Sequence, residues 1–250
     1  MELLTRAFDA VRSRLTRTRR RPPPPSQPAT VDAVIERMRA YGAGLDPDDG
    51  VAAFNRMYLR VTELVKERID EGYFTLPEFL TRLDIVFACR YLDVLDAPAP
   101  DKAWEPLLEL RAHPGREPIQ FALAGMNAHI NHDLPVALVD TCRQLALNPR
   151  SPGVHADYLR VTQVLADVHE EVRRSFLLGV ELDVDRHLAP VVNLVGTWSI
   201  ARAREAAWTN AQVLWEIEGV EPLHSEFEET LARTVGMAGR YLLTPVGELV

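Results

Sequence analysis

Apolar residues recur every three or four positions along most of the chain after residue 30, which is the spacing of amphipathic α-helices. No stretch of useful length alternates between apolar and polar residues as a half-buried strand does. The predicted helices cover residues 31–45, 51–70, 77–95, 102–112, 121–138, 155–178, 190–218 and 225–243. The pattern therefore predicts an all-α fold, with about eight to ten helices in one globular domain over residues 30–250.

The stretch from Phe121 to Leu138 reads FALAGMNAHINHDLPVAL, so apolar residues enclose a group of polar ones. The polar members are Asn127, His129, Asn131, His132 and Asp133. Such groups are costly to bury without partners, so they open onto a cavity, bind a ligand or form a closed internal network. We take this polar cluster as the candidate site.

His129, His132 and Asp133 share one helix face, because positions three and four apart lie on the same side of an α-helix. Pro135 cannot donate to the helical ladder, so Asp133 is either the N-cap of a new helix or part of a kink. Gly125 lies one turn earlier. The small surface around it is either the floor of a pocket or a close crossing of two helices.

Two histidines and a carboxylate form the ligand set of mononuclear Fe(II) sites and of many catalytic Zn(II) sites. His129, His132 and Asp133 are therefore candidate metal ligands, although their HxxHD spacing is not a diagnostic motif. A metal-free lyase or cyclase with His129 as the base is an alternative. A third alternative is a structural network in which both histidines are neutral and Asp133 caps a helix.

A second group lies on the predicted helix near the C-terminus, where Trp198, Arg202, Glu205 and Trp208 share a face. Arg202 is a candidate anchor for a substrate carboxylate or phosphate, or it pairs with an acidic residue across the core. The alternative is an aromatic core stripe with a surface arginine. The residues for which we predict substrate contacts are Asn127, Asn131, Tyr58, Trp198 and Asp157.

The net charge of −8 is unevenly distributed. Residues 1–21 contain seven arginines and two acidic residues, a net charge of +5, which leaves −13 for the rest. We expect this basic arm and the Pro-rich segment up to residue 29 to form a linker. The arm is expected to make at most a weak contact with a membrane surface. An acidic body argues against nucleic-acid binding.

Cys89 and Cys142 lack a CxxC partner and no secretory signal precedes them, which favours a cytoplasmic protein.

Five blocks of the chain resemble a bacterial protein family whose function is unknown. They are FNRMYLRVTELV, LDIVFACRYLDVL, FALAGMNAHINHDLPVALV, HADYLRVTQVLA and ARAREAAWTNAQVLW. The resemblance runs from about residue 30 to about residue 218, and it implies the all-helical fold and the location of the site. The family often has another polar or basic residue in place of His132, which shifts the emphasis to His129, Asn131 and Asp133.

The main hypothesis is a small-molecule enzyme whose pocket lies between the 121–138 helix and the helices that carry Asp157 and Arg202. His129 is then a metal ligand or general base, Asp133 a ligand or the residue that orients a histidine, and Arg202 an anion anchor. The first variant is metal-dependent hydrolysis or oxidation. The hypothesis from another class is a non-catalytic ligand-binding or interaction protein. The phosphate-binding and GxSxG motifs are absent from the sequence.

Overall fold

The structure, a computed structural model, describes residues 28, 30–178 and 199–248, without the side chains of residues 166–178. Its helices are α1 (Val31–Ala43), α2 (Gly50–Asp70), α3 (Pro77–Asp96), α4 (Glu105–Leu110), α5 (Pro118–Ala128), a π-helical turn (His129–Asp133), α6 (Leu134–Gln144), α7 (Pro152–Leu178), α8 (Ile200–Ile217), α9 (Glu221–Leu242) and a 3-10 turn (Val246–Glu248). These residues contain no strand, and the predicted single all-α domain is confirmed. The predicted basic arm lies outside the described residues.

Local capping signals determine where the first helices begin and end. The Thr30 side chain accepts a hydrogen bond from the backbone N–H of Ala33, which confirms Thr30 as the N-cap of α1. Asp49 caps α2 in the same way by accepting from Val51. Gly72 follows α2 with a φ of +72°, a left-handed conformation that glycine adopts without steric cost. The sequence therefore predicts these boundaries within a few residues.

The start of α8 differs from the prediction. Ser199 has an extended backbone with φ −126° and ψ 114°, and its hydroxyl accepts a hydrogen bond from the Arg202 N–H. The helix therefore begins at Ile200, so the prediction of one uninterrupted helix from Pro190 is wrong at Ser199. Trp198 lies outside the described residues.

The centre of the domain is the continuous segment α5, π-turn and α6. It packs with α5 against α2 and α9, and with α6 against α3 and α8. Every residue of α5 from Gln120 to Ala128 is buried, so this helix has no solvent face. A helix that is apolar on all sides is typical of a core position.

Two glycines allow α2 and α5 to cross closely. A Cβ atom on Gly125 would lie 2.3 Å from the ring of Phe54, and one on Gly50 would lie 2.3 Å from the ring of Phe121. Neither position has room for a side chain. The small surface around Gly125 is therefore a close helix crossing and not the floor of a pocket.

No helix in the described part of the chain is long and apolar enough to cross a membrane. Cys89 and Cys142 are both buried and unpaired, as the sequence indicates. Burial raises the pKa of the Cys89 thiol to about 11 and that of Cys142 to about 12. Both thiols are therefore protonated core groups at neutral pH.

Candidate functional site

The π-helical turn results from Pro135, which has no N–H to donate to the carbonyl one turn earlier. The backbone accommodates the proline with a wider turn, in which the N–H of Leu134 donates to the carbonyl of His129, five residues back. Asp133 itself is helical, and its side chain makes no capping hydrogen bond. Asp133 is therefore part of an irregular turn inside one long helix, and single π-turns of this kind occur frequently at functional sites.

The carboxylate of Asp133 is the hub of the polar cluster. Its Oδ2 atom lies 2.9 Å from His129 Nδ1 and accepts a hydrogen bond from Trp104 Nε1 at 3.0 Å. Its Oδ1 atom lies 2.9 Å from His132 Nδ1 and 3.7 Å from Arg90 Nε. Burial opposes ionisation, but the hydrogen bonds from both histidines and the charge of Arg90 hold the pKa of Asp133 well below its usual value. Asp133 is therefore an anion that four groups surround.

His129 presents one occupied and one unoccupied nitrogen. Because ionised Asp133 can only accept, Nδ1 of His129 carries the proton and Nε2 carries the lone pair. Nε2 is buried and has no hydrogen-bond partner among the described residues. Burial lowers the pKa of His129, and Asp133 offsets this only in part. The imidazole is therefore neutral, with a free base at Nε2.

Aromatic side chains from other helices enclose the His129 ring. Phe87 of α3 stacks on it, with the ring centroids 3.6 Å apart and the planes 5° apart. Tyr58 of α2 meets it edge-on at a centroid distance of 4.4 Å. Phe54 and Trp104 lie at 5.9 Å. This aromatic cage excludes water from the ring and explains the lowered pKa.

Three more buried polar atoms near the cage lack hydrogen-bond partners. Among the described residues they are the Tyr58 hydroxyl, Asp84 Oδ2 and Arg90 Nε, whose contact with Asp133 at 3.7 Å is longer than a hydrogen bond. Burial, followed by the negative charge of nearby Asp84, raises the pKa of Tyr58 well above its usual value. Burial alone raises the pKa of Asp84 to about 7. Buried carboxyl oxygens ordinarily have a hydrogen-bond partner, so Asp84 Oδ2 is an exception among the described residues.

His132 shares the same carboxylate but titrates in the opposite direction. Burial lowers its pKa, and the hydrogen bond with Asp133 and the charges of Asp133 and Asp101 more than offset this, so the pKa of His132 is raised. Its Nε2 atom lies 3.7 Å from Asp101 Oδ1. One carboxylate therefore supports a neutral imidazole at His129 and a more basic one at His132.

The predicted metal ligands are close together, but their donor atoms do not converge on one point. Both imidazoles direct Nδ1 at Asp133, while Nε2 of His129 faces the aromatic cage and Nε2 of His132 faces Asp101. No three His, Cys, Asp or Glu side chains of the described residues are arranged to hold an ion. An Fe(II) or Zn(II) site would require these rings to rotate, and it stays a prediction.

The two asparagines of the cluster bind protein groups. Asn127 Nδ2 donates to the carbonyl of Val235 in α9 at 2.9 Å, and its Oδ1 accepts from Asn131 Nδ2 at 3.1 Å. Asn127 therefore connects the central helix to α9. Asn131 is half-buried, and among the described residues its amide oxygen accepts no hydrogen bond. Of the two asparagines, Asn131 is therefore the one with an acceptor left for a substrate.

Asp157 is fully buried, and its carboxylate is occupied by protein donors. It accepts from the backbone N–H groups of Thr75 at 3.1 Å and Leu76 at 2.5 Å, and from Arg160 at 2.9 Å. These contacts attach the loop before α3 to α7. The structure thus gives Asp157 a structural role, whereas the sequence analysis predicts that it contacts a substrate.

Arg202 is exposed at the start of α8, so it does not reach the core as the anchor that the sequence predicts. The buried arginine is Arg204, which donates to Thr162 Oγ1 at 2.9 Å and to the carbonyl of Tyr158 at 3.0 Å. The buried face of α8 carries Arg204 and Trp208, four positions apart. Arg202 lies on another side of this helix and faces solvent.

The side chains that meet His129 and Asp133 come mainly from α2, α3 and the segment before α4. Those that the sequence did not single out are Phe54, Phe87, Arg90, Tyr91 and Trp104. Each belongs to an ordinary helical apolar or charged pattern, so no local signal distinguishes it. The predicted pocket against Asp157 and Arg202 is corrected to a cage against α2 and α3.

The model of one protein family, described as a family of unknown function (DUF5995), matches residues 31–245. The match runs from the first residue of α1 past the end of α9, so it includes the whole polar cluster. Comparisons with curated proteins and with solved structures found no match. The chain therefore belongs to DUF5995, a family of unknown function.

Proposed function

We propose that this protein is a small-molecule enzyme that works by acid–base catalysis, with His129 as the general base. The observation that carries the proposal is a polar cluster that is only half satisfied. Asp133 is fully engaged, whereas His129 Nε2, the Tyr58 hydroxyl and Asp84 Oδ2 are buried without partners among the described residues. A purely structural network satisfies its buried atoms, because each unsatisfied one costs about 1–3 kcal/mol.

The His129–Asp133 pair has the properties that a general base requires. His129 is neutral, so its Nε2 lone pair can take a proton from a substrate. Asp133 stays ionised, holds the Nδ1 proton in place and stabilises the imidazolium that forms. Trp104 and Arg90 keep the carboxylate charged and oriented. Asp133 is thus a positioning residue in this proposal.

Asp84 is the complementary acid. With a pKa of about 7, its carboxyl group is protonated in a large fraction of molecules at neutral pH and can return a proton to the substrate. Tyr58 meets the His129 ring edge-on, and the charge of Asp84 acts on its hydroxyl, which can hydrogen-bond a substrate oxygen. Acid–base catalysts commonly have side chains whose pKa values are shifted in this way.

The surrounding cage indicates the substrate and reaction class. Its walls are the aromatic rings of Phe54, Phe87, Tyr91 and Trp104. A substrate with an apolar or unsaturated body and one or two oxygen groups fits such walls. In a lyase such a pair works by elimination: the base removes a proton from one carbon, a double bond forms, and the acid protonates the oxygen group that leaves the neighbouring carbon. In a cyclase the acid protonates a double bond, and the base removes a proton once the ring has closed. Because His129 is only 2% exposed, the proposal requires the helices around its ring to separate before a substrate can enter.

A metal-dependent hydrolase or oxidase is the second candidate, because a buried imidazole nitrogen without a partner is also a potential ligand. Elemental analysis of protein purified without a tag or chelator separates the two candidates. Fe or Zn near one ion per chain that disappears in His129→Ala would favour the metal-dependent enzyme. The arm remains a candidate for weak membrane-surface contact, and the buried free thiols fit a cytoplasmic enzyme.

The test of the proposal compares His129→Gln with His132→Gln, which removes a ring bound to the same carboxylate. Each protein is incubated with a metabolite extract from bacteria, and mass spectrometry records which compounds change. We expect compounds that the wild type and His132→Gln consume and that His129→Gln leaves intact.

If no compound changes with the wild type, and His129→Gln is less stable by about 1–3 kcal/mol, the cluster is a structural network of a non-catalytic protein. Once a substrate is known, the rate should fall above about pH 7 as Asp84 loses its proton. A rate that is unaffected by pH between 6 and 8 would remove Asp84 from the mechanism.

A further inference from the structure

A surface pocket lies where the start of α2 meets the loop between α4 and α5. Its volume is about 290 Å³, and its walls include Asp48, Asp49 and Gly50 on one side and Arg111–Pro114, Arg116 and Pro118 on the other. The N–H of Gly50 donates to the carbonyl of Arg111 at 2.8 Å, which connects the two walls. This volume is near the lower limit for small-molecule sites, so the pocket fits a compact metabolite.

Three arginines line the pocket: Arg56, Arg111 and Arg116. Arg111 is neutralised by Asp49, because its Nε lies 2.8 Å and its Nη2 2.6 Å from Asp49 Oδ2. The other two arginines therefore supply the positive charge of the pocket that is not neutralised.

Arg56 and Arg116 are held by backbone carbonyls. Arg56 Nη1 donates to Pro47 at 3.3 Å. Arg116 donates from Nε to Leu243 at 2.6 Å and from Nη1 to Pro114 at 3.1 Å. Within the described ranges, neither guanidinium has a carboxylate partner. Each guanidinium has five N–H donors, so both keep donors for a ligand.

The local charge favours an anion although the whole chain has a net charge of −8. The arginines outnumber the two acidic residues of the lining, of which Asp49 is already paired and Asp48 is exposed. A planar guanidinium binds the oxygens of a carboxylate or phosphate in a two-point contact.

We propose that this pocket binds a small organic anion, whose phosphate or carboxylate group is held between Arg56 and Arg116. The site is separate from the one proposed for catalysis, because none of its lining residues belongs to the cage around His129. Its existence does not depend on the acid–base proposal.

The test is a titration of ¹⁵N-labelled full-length protein with sodium phosphate and, separately, with succinate at constant ionic strength. We expect saturable shifts of the Gly50 and Ala53 amide signals, with a dissociation constant on the order of 1 mM. Arg56→Gln and Arg116→Gln should each weaken binding by about tenfold. The matched control is Arg150→Gln, an exposed arginine paired with Glu216 and absent from the pocket lining.

The two probes also identify the anionic group, since saturation by one alone assigns a phosphate or a carboxylate ligand. An equal loss of affinity in Arg150→Gln would show general charge attraction and overturn the proposal. The absence of saturable shifts with both probes would also overturn it. Arg56→Gln keeps the test valid if Arg116→Gln loosens the chain near Leu243, because among the described residues the hydrogen bond of Arg56 is to the surface carbonyl of Pro47 alone.

Discussion

Replacing Asp84 with asparagine removes one buried ionisable group while nearly preserving its shape. Asp84 lies on α3 with 9% of its surface exposed, and burial raises its pKa from 3.8 to about 7. The folded protein therefore holds a proton that the unfolded chain releases near pH 4. The stability contributed by this group is complete below about pH 4 and is lost as the pH rises towards 7.

The size of the effect follows from the pKa difference of about three pH units, each worth about 1.4 kcal/mol. Burial of Asp84 thus lowers the free energy of unfolding by about 4 kcal/mol between pH 4 and pH 8, of which about 2.5 kcal/mol falls between pH 5 and pH 8. His129 and His132 also contribute to the pH dependence, with opposite signs, because folding lowers the pKa of His129 and raises that of His132. Their contributions are common to both proteins and cancel in the difference.

Urea denaturation of the wild type and Asp84→Asn at pH 5, 6, 7 and 8 measures this difference. We expect the variant to gain about 2.5 kcal/mol relative to the wild type between pH 5 and pH 8. Asp93→Asn is the control, since Asp93 is on the same helix, is 43% exposed and lies near Arg37, and its difference should vary by less than about 1 kcal/mol. A difference for Asp84→Asn that stays constant within about 0.5 kcal/mol would refute the reasoning.

Three further substitutions test the packing and the cluster by urea denaturation. Gly125→Ala should cost about 2–3 kcal/mol, because its Cβ would meet a ring at 2.3 Å, whereas Gly219→Ala, with nothing within 4 Å, should cost less than about 0.5 kcal/mol. Asp133→Asn should cost about 3 kcal/mol at pH 7; because the pKa of Asp133 is lowered, this cost should shrink as the pH falls below about 4. Asn127→Ala should cost about 1–2 kcal/mol, because the carbonyl of Val235 loses its donor. The Gly125 contact would be contradicted if the two glycine variants cost the same. The role of Asp133 would be contradicted if the cost of Asp133→Asn did not depend on pH, and that of Asn127 if Asn127→Ala left the stability unchanged.

The helical fold was predictable because its signals lie between near neighbours in the chain. Thr30 marks the start of α1 and Gly72 follows the end of α2, since capping and left-handed turns involve residues within a few positions. The polar cluster was predictable for the same reason, because its members are close together in the sequence. His129 and Asp133 are four positions apart, so their hydrogen bond lies within reach of a helical pattern.

The face of α8 that is buried shows what helical periodicity leaves open. The spacing groups Arg202 with Trp198, and it equally groups Arg204 with Trp208. In the structure the face with Arg204 and Trp208 is the buried one. The side of a helix that becomes buried depends on where the rest of the protein lies, which periodicity alone does not specify.

The amino-acid sequence by itself determined that the chain is all-α and that a polar cluster is buried near the centre of its most apolar helix. Only the tertiary structure decided what surrounds that cluster. Trp104 and Phe87 reach the His129–Asp133 pair from segments 25 or more residues away. The crossing at Gly125 brings α2 close enough for Tyr58 to meet the same ring. Helix periodicity depends on neighbours in the chain, whereas the pKa of His129 and its unoccupied nitrogen depend on which distant side chains exclude water.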